Sequence, residues 1–373
     1  MNPFRYGSTV GNDDFCPRPE LETMITGHIQ SRQNIHIEGD RRTGKTSLVF
    51  EVSRNLKNNI LLHFDFQLVK SASDVRSRLI EGLSSASAKT GGFEKLIRAL
   101  AHLRPAVTIN PSTGEPTLSI KADDPAQLSE HSIIELLELC RSSFEKRNPM
   151  IFFDEFQDVT KLPDADRLLA CMRSSIQHHH DCTYIYSGSS RSDMDRIFRH
   201  PDSPFYKSAV AVPVGVIPRR NFVPFLRSKF ASGNRSVSAG LVDKILDLVE
   251  DNPGDAQEVC NCLWDATDQG QTLGDAELDR ALGLIFAREI MYFEQVLENI
   301  TAVQKRCLRG LAQLNGRNIY SKEFMTETGV MNTGSITKAV KQLEKRRIVA
   351  TVGKRLVFAS PFLRLWLLRN PHV

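Results

Sequence analysis

The sequence predicts an α/β fold with a parallel sheet at its core, followed by an all-helical subdomain and a basic C-terminal module of helices and a hairpin. Three observations predict it. A glycine-rich octapeptide stands between a strand pattern and a helix pattern, a short apolar run ends in two acids, and the end of the chain is basic while the rest is mildly acidic.

The octapeptide is Gly39-Asp40-Arg41-Arg42-Thr43-Gly44-Lys45-Thr46, which fits G-x-x-x-x-G-K-[ST]. Asn34 to Glu38 alternates as a strand does, and Ser47 to Val52 continues with helical spacing. Small residues here let backbone N–H groups curl around phosphate oxygens at a helix N-terminus, where the helix dipole also favours anions. The segment Gly39 to Ser47 is therefore expected to bind a nucleoside triphosphate, ATP or GTP. Lys45 would reach the β- and γ-phosphates, and the Thr46 hydroxyl would ligate Mg²⁺.

Pro149-Met150-Ile151-Phe152-Phe153-Asp154-Glu155 is an apolar run ending in two carboxylates, the pattern of a buried parallel strand that delivers acids at its C-terminal end. This is the Walker B arrangement. Ligands of open α/β sheets bind at the carboxyl ends of the strands, so these acids and the phosphate loop are expected to face one crevice. Asp154 would hold the Mg²⁺ shell and Glu155 would polarise the attacking water.

Further elements follow in chain order. A helix is expected over Arg18 to Gln30, a second strand over Ile60 to Phe66, and a helix from Ser73 carrying Val75, Leu79, Ile80 and Leu83. Ala106 to Ile120 reads as two short strands around a Gly/Pro turn. Helices over Asp124 to Lys146 and Asp164 to His178 flank the acid-tipped strand. Thr183 to Ser190 is another buried strand whose small polar tip is placed to sense a γ-phosphate, and Val210 to Ile217 is a fifth. From Arg219 to Val296 the pattern is helical, broken at Asn252-Pro253-Gly254. The expected division is 1–218, a P-loop ATPase core; 219–296, a helical lid subdomain; and 297–373, a winged-helix domain.

Composition restricts the alternatives. With 41% hydrophobic and 25% charged residues in 373, the chain has the make-up of a globular protein of two or three domains. No stretch approaches the roughly 20 apolar residues of a membrane span, and Met1 to Gly7 lacks a signal peptide's apolar core. A cytoplasmic protein without membrane partners is expected. The seven cysteines show no framework of paired spacings and read as reduced thiols. His178-His179-His180 reads as a solvated face rather than a metal site, because adjacent helical positions point apart.

The net charge of +4 hides an asymmetry: residues 301–373 hold 14 basic and 3 acidic residues. Helical runs at Ala302 to Leu314, Ser321 to Gly329 and Ser335 to Arg347 precede a hairpin, Ile348 to Phe358, with a Gly353-Lys354 turn. That is a winged helix-turn-helix. Thr333-Gly334-Ser335 is expected to cap the third helix, on which Lys338, Lys341 and Lys345 share a face opposite Ile336, Val340 and Leu343. These lysines, with Lys354 and Arg355 in the wing, would contact phosphates of duplex DNA and give salt-sensitive binding. Two alternatives stay open: the basic module docks on the acidic body of its own chain, or it docks a partner protein.

The ordered set of motifs resembles the prokaryotic ATPase family often called archaeal-type ATPases, on the STAND and AAA+ side of the P-loop NTPases. The resemblance rests on Asn2-Pro3-Phe4, Phe15-Cys16-Pro17-Arg18-Pro19-Glu20-Leu21, Arg41-Arg42-Thr43-Gly44-Lys45-Thr46-Ser47-Leu48 and Phe153-Asp154-Glu155-Phe156-Gln157. It continues through Ser187-Gly188-Ser189-Ser190-Arg191, Ser203-Pro204-Phe205-Tyr206, Asn252-Pro253-Gly254-Asp255-Ala256-Gln257 and Ser360-Pro361-Phe362-Leu363-Arg364-Leu365-Trp366. It implies an ATP-driven, Mg²⁺-dependent switch in which Phe15 and Arg18 flank the adenine and Pro253 belongs to a lid motif near the nucleotide. Arg191 is the first choice for an arginine finger, ahead of Arg196 and Arg199; a finger acting between neighbours would require a homo-oligomer. Family members differ in biological role, some in mobile elements and defence systems, so a protein effector docked on the winged helix is the alternative output.

Overall fold

The computed structural model describes residues 1–101, 106–109, 114, 116–119, 130–144 and 146–372, which form two compact units. Thr9–Val216 is one. Met1–Ser8 and Ile217–Val373 together make the other.

In the first unit, α1 (Pro19–Gln30) leads into β1 (Ile35–Glu38), α2 (Lys45–Asn55), β2 (Asn59–Asp65), α3 (Ala72–Thr90) and α4 (Phe93–Ala99). The hairpin β3 (Ala106–Ile109) and β4 (Pro116–Ser119) is antiparallel, as its turn residues predict. Then come α5 (Glu130–Ser142), β5 (Asn148–Asp154), α6 (Ala165–Ile176), β6 (Thr183–Gly188), α7 (Arg191–Phe198) and β7 (Val210–Pro213). The turn expected at 110–113 and the start of the helix expected from Asp124 lie outside the described residues.

Five strands form one parallel sheet in the order β2-β5-β6-β1-β7. Its centre is buried on both faces, which is why β5 and β6 read as continuous apolar runs rather than alternating ones. Met150, Phe152 and Ile185 join Phe15, Ile25, Ile29, Leu48 and Val52 in one core. Ile151, Phe153, Tyr184 and Tyr186 join Phe64, Leu79, Leu136, Leu168 and Phe198 in the other. The edge strand β2 alternates, burying Ile60, Leu62 and Phe64.

One expectation fails in this unit. The helix before the histidine triplet stops at Ile176, so the triplet lies in a turn rather than on a helical face, and His179 is buried. Its ring nitrogens face the Tyr184 hydroxyl at 2.7 Å and Glu138 at 3.1 Å. A turn can aim one of three adjacent side chains inward, and this one makes His179 a core hydrogen-bonding residue.

The second unit contains α8 (Arg219–Ser232), β8 (Ser236–Val237), α9 (Leu241–Leu248), α10 (Pro253–Asp265), β9 (Thr272–Leu273) and α11 (Asp275–Glu298). The segment expected to be all helical thus carries a two-residue parallel pair, β8 with β9. Residues 1–8 are built into this unit. Phe4 packs against Phe230 and Trp264 with ring centroids 4.5 and 6.1 Å away, Lys229 donates to the Pro3 carbonyl, and Asn261 donates to the Phe4 carbonyl.

The chain continues through α12 (Ala302–Gln313), α13 (Lys322–Thr328), α14 (Thr333–Lys345), β10 (Val349–Val352), β11 (Arg355–Phe358) and α15 (Pro361–Arg369). Helix α14 starts two residues earlier than its periodicity suggested. Asn332, not Thr333 to Ser335, is its cap, accepting the Ser335 N–H at 3.1 Å. Asn competes well for a cap because its short amide oxygen reaches the third amide while its backbone stays extended. Trp366 of α15 packs on Phe293 of α11, ring centroids 5.3 Å apart. Among the described residues no helix is long and apolar enough to cross a membrane, and all seven cysteines are free.

His36 on β1 gives the fold a pH dependence. It is buried and stacked on Phe198, centroids 4.5 Å apart. Burial, reinforced by Arg199 and opposed by Asp195, lowers its pKa from 6.5 to about 4. The unfolded chain therefore takes up this proton first, and stability falls as the pH drops from about 6.5 toward about 4, by at most about 1.4 kcal/mol per pH unit. Urea denaturation of wild type and His36→Phe at pH 7 and pH 5 tests this. The wild type should lose more stability than the variant over that interval.

Candidate functional site

The sheet order sets which loops can meet. Strand β6 lies between β1 and β5, so the carboxyl ends of these three strands are consecutive along one edge. The loop after β1 is the glycine-rich octapeptide. Gly44 at φ +82° ends it, and helix α2 begins at Lys45. Gly39 is required for a different reason: a Cβ there would lie 2.4 Å from the Val214 carbonyl oxygen. The loop is closed by Thr43 Oγ1 donating to the Asp40 carbonyl at 2.8 Å. Arg18, buried beside it, donates to the carbonyls of Thr43 and, at 3.2 Å, of Gly215.

Lys45 is buried, and its ammonium donates to the carbonyls of Gly39 and Asp40, both at 2.8 Å. Burial lowers its pKa, while Glu155, Asp154 and Asp40 oppose that shift. The cation sits inside the curl of its own loop, facing the acids at the end of β5.

Those acids have different surroundings. Asp154 is 7% exposed. Its Oδ2 accepts from Thr46 Oγ1 at 2.7 Å and lies 3.6 Å from His63 Nε2, while its Oδ1 accepts from Ser187 Oγ at the end of β6. Burial alone would raise its pKa; the neighbouring imidazole and the two hydroxyl donors outweigh that and bring it below the ordinary Asp value. Asp154 is thus held ionised. Glu155 has left-handed backbone, φ +50° and ψ +38°, which turns its side chain out of the strand direction. Its Oε2 accepts from Gln157 Nε2 at 2.6 Å and from Ser189 Oγ at 2.8 Å.

The structure thus brings together Lys45, Thr46, Asp154 and the Ser187 to Ser189 strand tip. Asp40, Arg41 and Arg42 are the exposed part of the loop, and Thr43 is buried in it. Ser47 is turned elsewhere, its hydroxyl accepting the Val10 N–H at 3.1 Å. Phe15 is a core residue, packed with Ile25 and Leu48. Arg191 is exposed at the start of α7, directly after the β6 tip. Of the other two arginines, Arg196 is 3.6 Å from Asp166, and Arg199 reaches Glu38 at 2.6 Å and Asp195 at 3.2 Å. Pro253 is the first residue of α10, behind an Asn252 cap that accepts from Gly254 and Asp255. Sequence reasoning did not find His63 or Gln157, since neither belongs to a spacing with its own chemical signature; only the register that lays β2 beside β5, Asp65 opposite Asp154, explains His63.

In the second unit, Lys338, Lys341 and Lys345 are exposed on α14 while Ile336, Val340 and Leu343 are buried beneath. Lys354 is exposed at the hairpin tip. Arg355 is half-buried and ion-paired with Glu250.

Comparison with known proteins bears on the fold. Residues 291–369 match a family described as "Probable winged helix domain". A Walker-type ATPase of Pyrococcus abyssi superposes with a TM-score of 0.67 at 18% identity, covering 98% of this chain and 99% of the other. The fold is that of a P-loop ATPase with a C-terminal winged helix. The ORC1 protein of Aeropyrum pernix in complex with DNA gives a TM-score of 0.54 at 12% identity, covering 96% and 94% of the two chains. The ADP form of the Aeropyrum pernix ORC2 protein gives 0.51 at 12% identity, covering 96% and 95%. No curated protein matches the chain by sequence.

The close approach at Gly39 makes a direct test of the loop. Gly39→Ala must push the Val214 backbone away, and it should destabilise the protein by about 1–3 kcal/mol in urea denaturation. A variant as stable as wild type would mean that the loop is not wedged against β7.

Proposed function

We propose that the chain is a Mg²⁺-dependent ATPase of the AAA+/STAND kind, a nucleotide-driven switch whose basic winged helix binds duplex DNA. The 2.7 Å hydrogen bond between Thr46 and the buried, ionised Asp154 carries the reading. It brings together a hydroxyl and a carboxylate oxygen, the hard donors that suit Mg²⁺, beside a lysine-bearing loop at a helix N-terminus. When bound, the metal would be held by Thr46 and Asp154 and would neutralise phosphate charge. The division proposed is 1–218 for the ATPase core, 219–296 for the lid and 297–373 for the winged helix.

The chain's own groups would act as follows. The loop amides and Lys45 bind the phosphates, the ammonium exchanging the carbonyls of Gly39 and Asp40 for β- and γ-oxygens. Glu155 orients and polarises the attacking water for in-line displacement, and Ser189 is placed beside it to sense the γ-phosphate. Arg191 is proposed as the arginine finger, because Arg196 and Arg199 are engaged with carboxylates. Such a finger is worth on the order of 10³ in rate or more, and one acting in trans makes turnover depend on oligomer formation. Arg18 buttresses the loop from behind through the Thr43 carbonyl.

The winged helix supports the DNA reading by its face of exposed lysines over an apolar underside, and a protein of similar fold, ORC1 of Aeropyrum pernix, is known in complex with DNA. Lys338, Lys341 and Lys345 would contact phosphates from α14 and Lys354 from the wing. Arg355 would join them only after leaving Glu250. Docking of a partner protein on the same module is the second reading.

Two measurements test these readings. Lys45→Ala should abolish binding of a fluorescent ATP analogue, whereas Glu155→Gln should bind it and fail to turn ATP over. For the DNA reading, anisotropy of labelled duplex DNA is followed against salt. The triple variant Lys338→Ala, Lys341→Ala, Lys345→Ala should bind more weakly and reduce the slope of log affinity against log salt by roughly 3. Turnover that DNA does not alter, together with no salt-sensitive binding, would move the C-terminal module to the protein-docking reading.

A further inference from the structure

Gln157 is 3% exposed, lies one turn beyond the end of β5, and appears in none of the roles assigned above. Its amide nitrogen stands between two carboxylates: it donates to Glu155 Oε2 at 2.6 Å and to Asp158 Oδ1 at 3.3 Å. Its amide oxygen is buried and has no hydrogen-bond partner. That orientation is forced. Turned over, the amide would press its oxygen against both acids and leave the nitrogen unsatisfied. Room for the side chain comes from Gly188, where a Cβ would lie 2.3 Å from Gln157 Oε1. The far side is fixed as well, since Asp158 also accepts from the Leu68 N–H at 2.8 Å and from Lys161.

A glutamate at φ +50° has no strand neighbour to fix its side chain, so the Glu155 carboxylate is oriented by what donates to it. Both donors meet one oxygen, Oε2; Ser189 comes from the β6 tip and Gln157 from the buried turn. The two bonds leave Oε1 as the oxygen available to a water. An unsatisfied buried amide oxygen costs free energy, and the bonds of the amide nitrogen to the two carboxylates offset that cost.

We propose that Gln157 is a positioning residue for the catalytic water: by holding Oε2 of Glu155 it fixes the direction in which Oε1 presents to the nucleophile. The inference rests on the reading of Glu155 as the group that polarises water. Gln157 touches neither nucleotide nor water and acts through Glu155.

The test is steady-state ATP hydrolysis by wild type, Gln157→Met, Gln157→Glu, Glu155→Gln and the double variant Gln157→Met/Glu155→Gln, with binding of a non-hydrolysable ATP analogue and thermal melting in parallel. Methionine keeps the volume and removes the donor. It should lower kcat roughly ten-fold or more while KM and analogue binding stay within about two-fold. Gln157→Glu, which fills the same space with a second acid, should lose at least as much. The double variant should bind the analogue as Glu155→Gln does, because the methionine removes a hold on Glu155 and nothing that the nucleotide touches. Wild-type kcat in Gln157→Met, with Glu155→Gln inactive, would overturn the inference and leave the ATPase reading standing. Weaker analogue binding by the double variant than by Glu155→Gln would also overturn it, since Gln157 would then act apart from Glu155. If Glu155→Gln turns over normally, the assignment of Glu155 fails and the inference fails with it.

Discussion

A carboxylate buried at the end of a strand must be satisfied by donors that its own strand cannot supply, and Asp154 is that carboxylate. Desolvation would neutralise it unless neighbouring groups compensate; besides the Glu155 N–H, which donates to Oδ1 at 3.1 Å, the neighbours come from three other places: Thr46 from the first turn of α2, His63 from β2 and Ser187 from β6. Each belongs to a different βα unit. The sheet order β2-β5-β6-β1-β7 is what brings them to one point. The doubly buried centre of the sheet, the glycine at Gly39 and the small residues at the β6 tip can all be understood as conditions for keeping one ionised oxygen pair out of water beside Lys45.

The C-terminal module follows a simpler rule. Helix α14 has two faces, one buried through Ile336, Val340 and Leu343 and one carrying lysines into solvent. The hydrophobic effect fixes which way the helix rolls, and the lysine positions are then fixed with it. The wing differs because β10 and β11 form an isolated two-stranded ribbon. Such a ribbon is marginal alone, and here Arg355 ties it to Glu250 while Gly316 approaches Leu356 so closely that no side chain fits there. An arginine that anchors the ribbon is charged for structural reasons.

Most of the sheet and most of the side chains gathered at its carboxyl edge were legible in the chain, and the reason is periodicity. Met150 to Phe153 and Thr183 to Tyr186 are buried on every residue because both faces are covered, and the spacing of Gly39 to Thr46 fits a backbone curled ahead of a helix N-terminus. What was not legible depends on contacts between segments distant in sequence. His63 sits near Asp154 only through strand register, Gln157 has meaning only once Gly188 gives it space, and His179 turns inward because Tyr184 and Glu138 are there to receive it. The two-residue strands β8 and β9 are too short to leave an alternation, so the segment around them reads as helix and loop.

The second unit is built from two stretches of chain separated by the whole of the first. Phe4 fits against Phe230 and Trp264, so its seat is completed only 260 residues further along the chain. At typical rates of translation that interval is on the order of tens of seconds. Within it the first unit, which is continuous in sequence, is made from end to end and can fold before α10 is complete, while residues 1–8 stay unseated on the nascent chain. Folding order is thereby written into the order of the segments: the five-stranded sheet can form first, and the closure of the second unit waits for α10 to leave the ribosome.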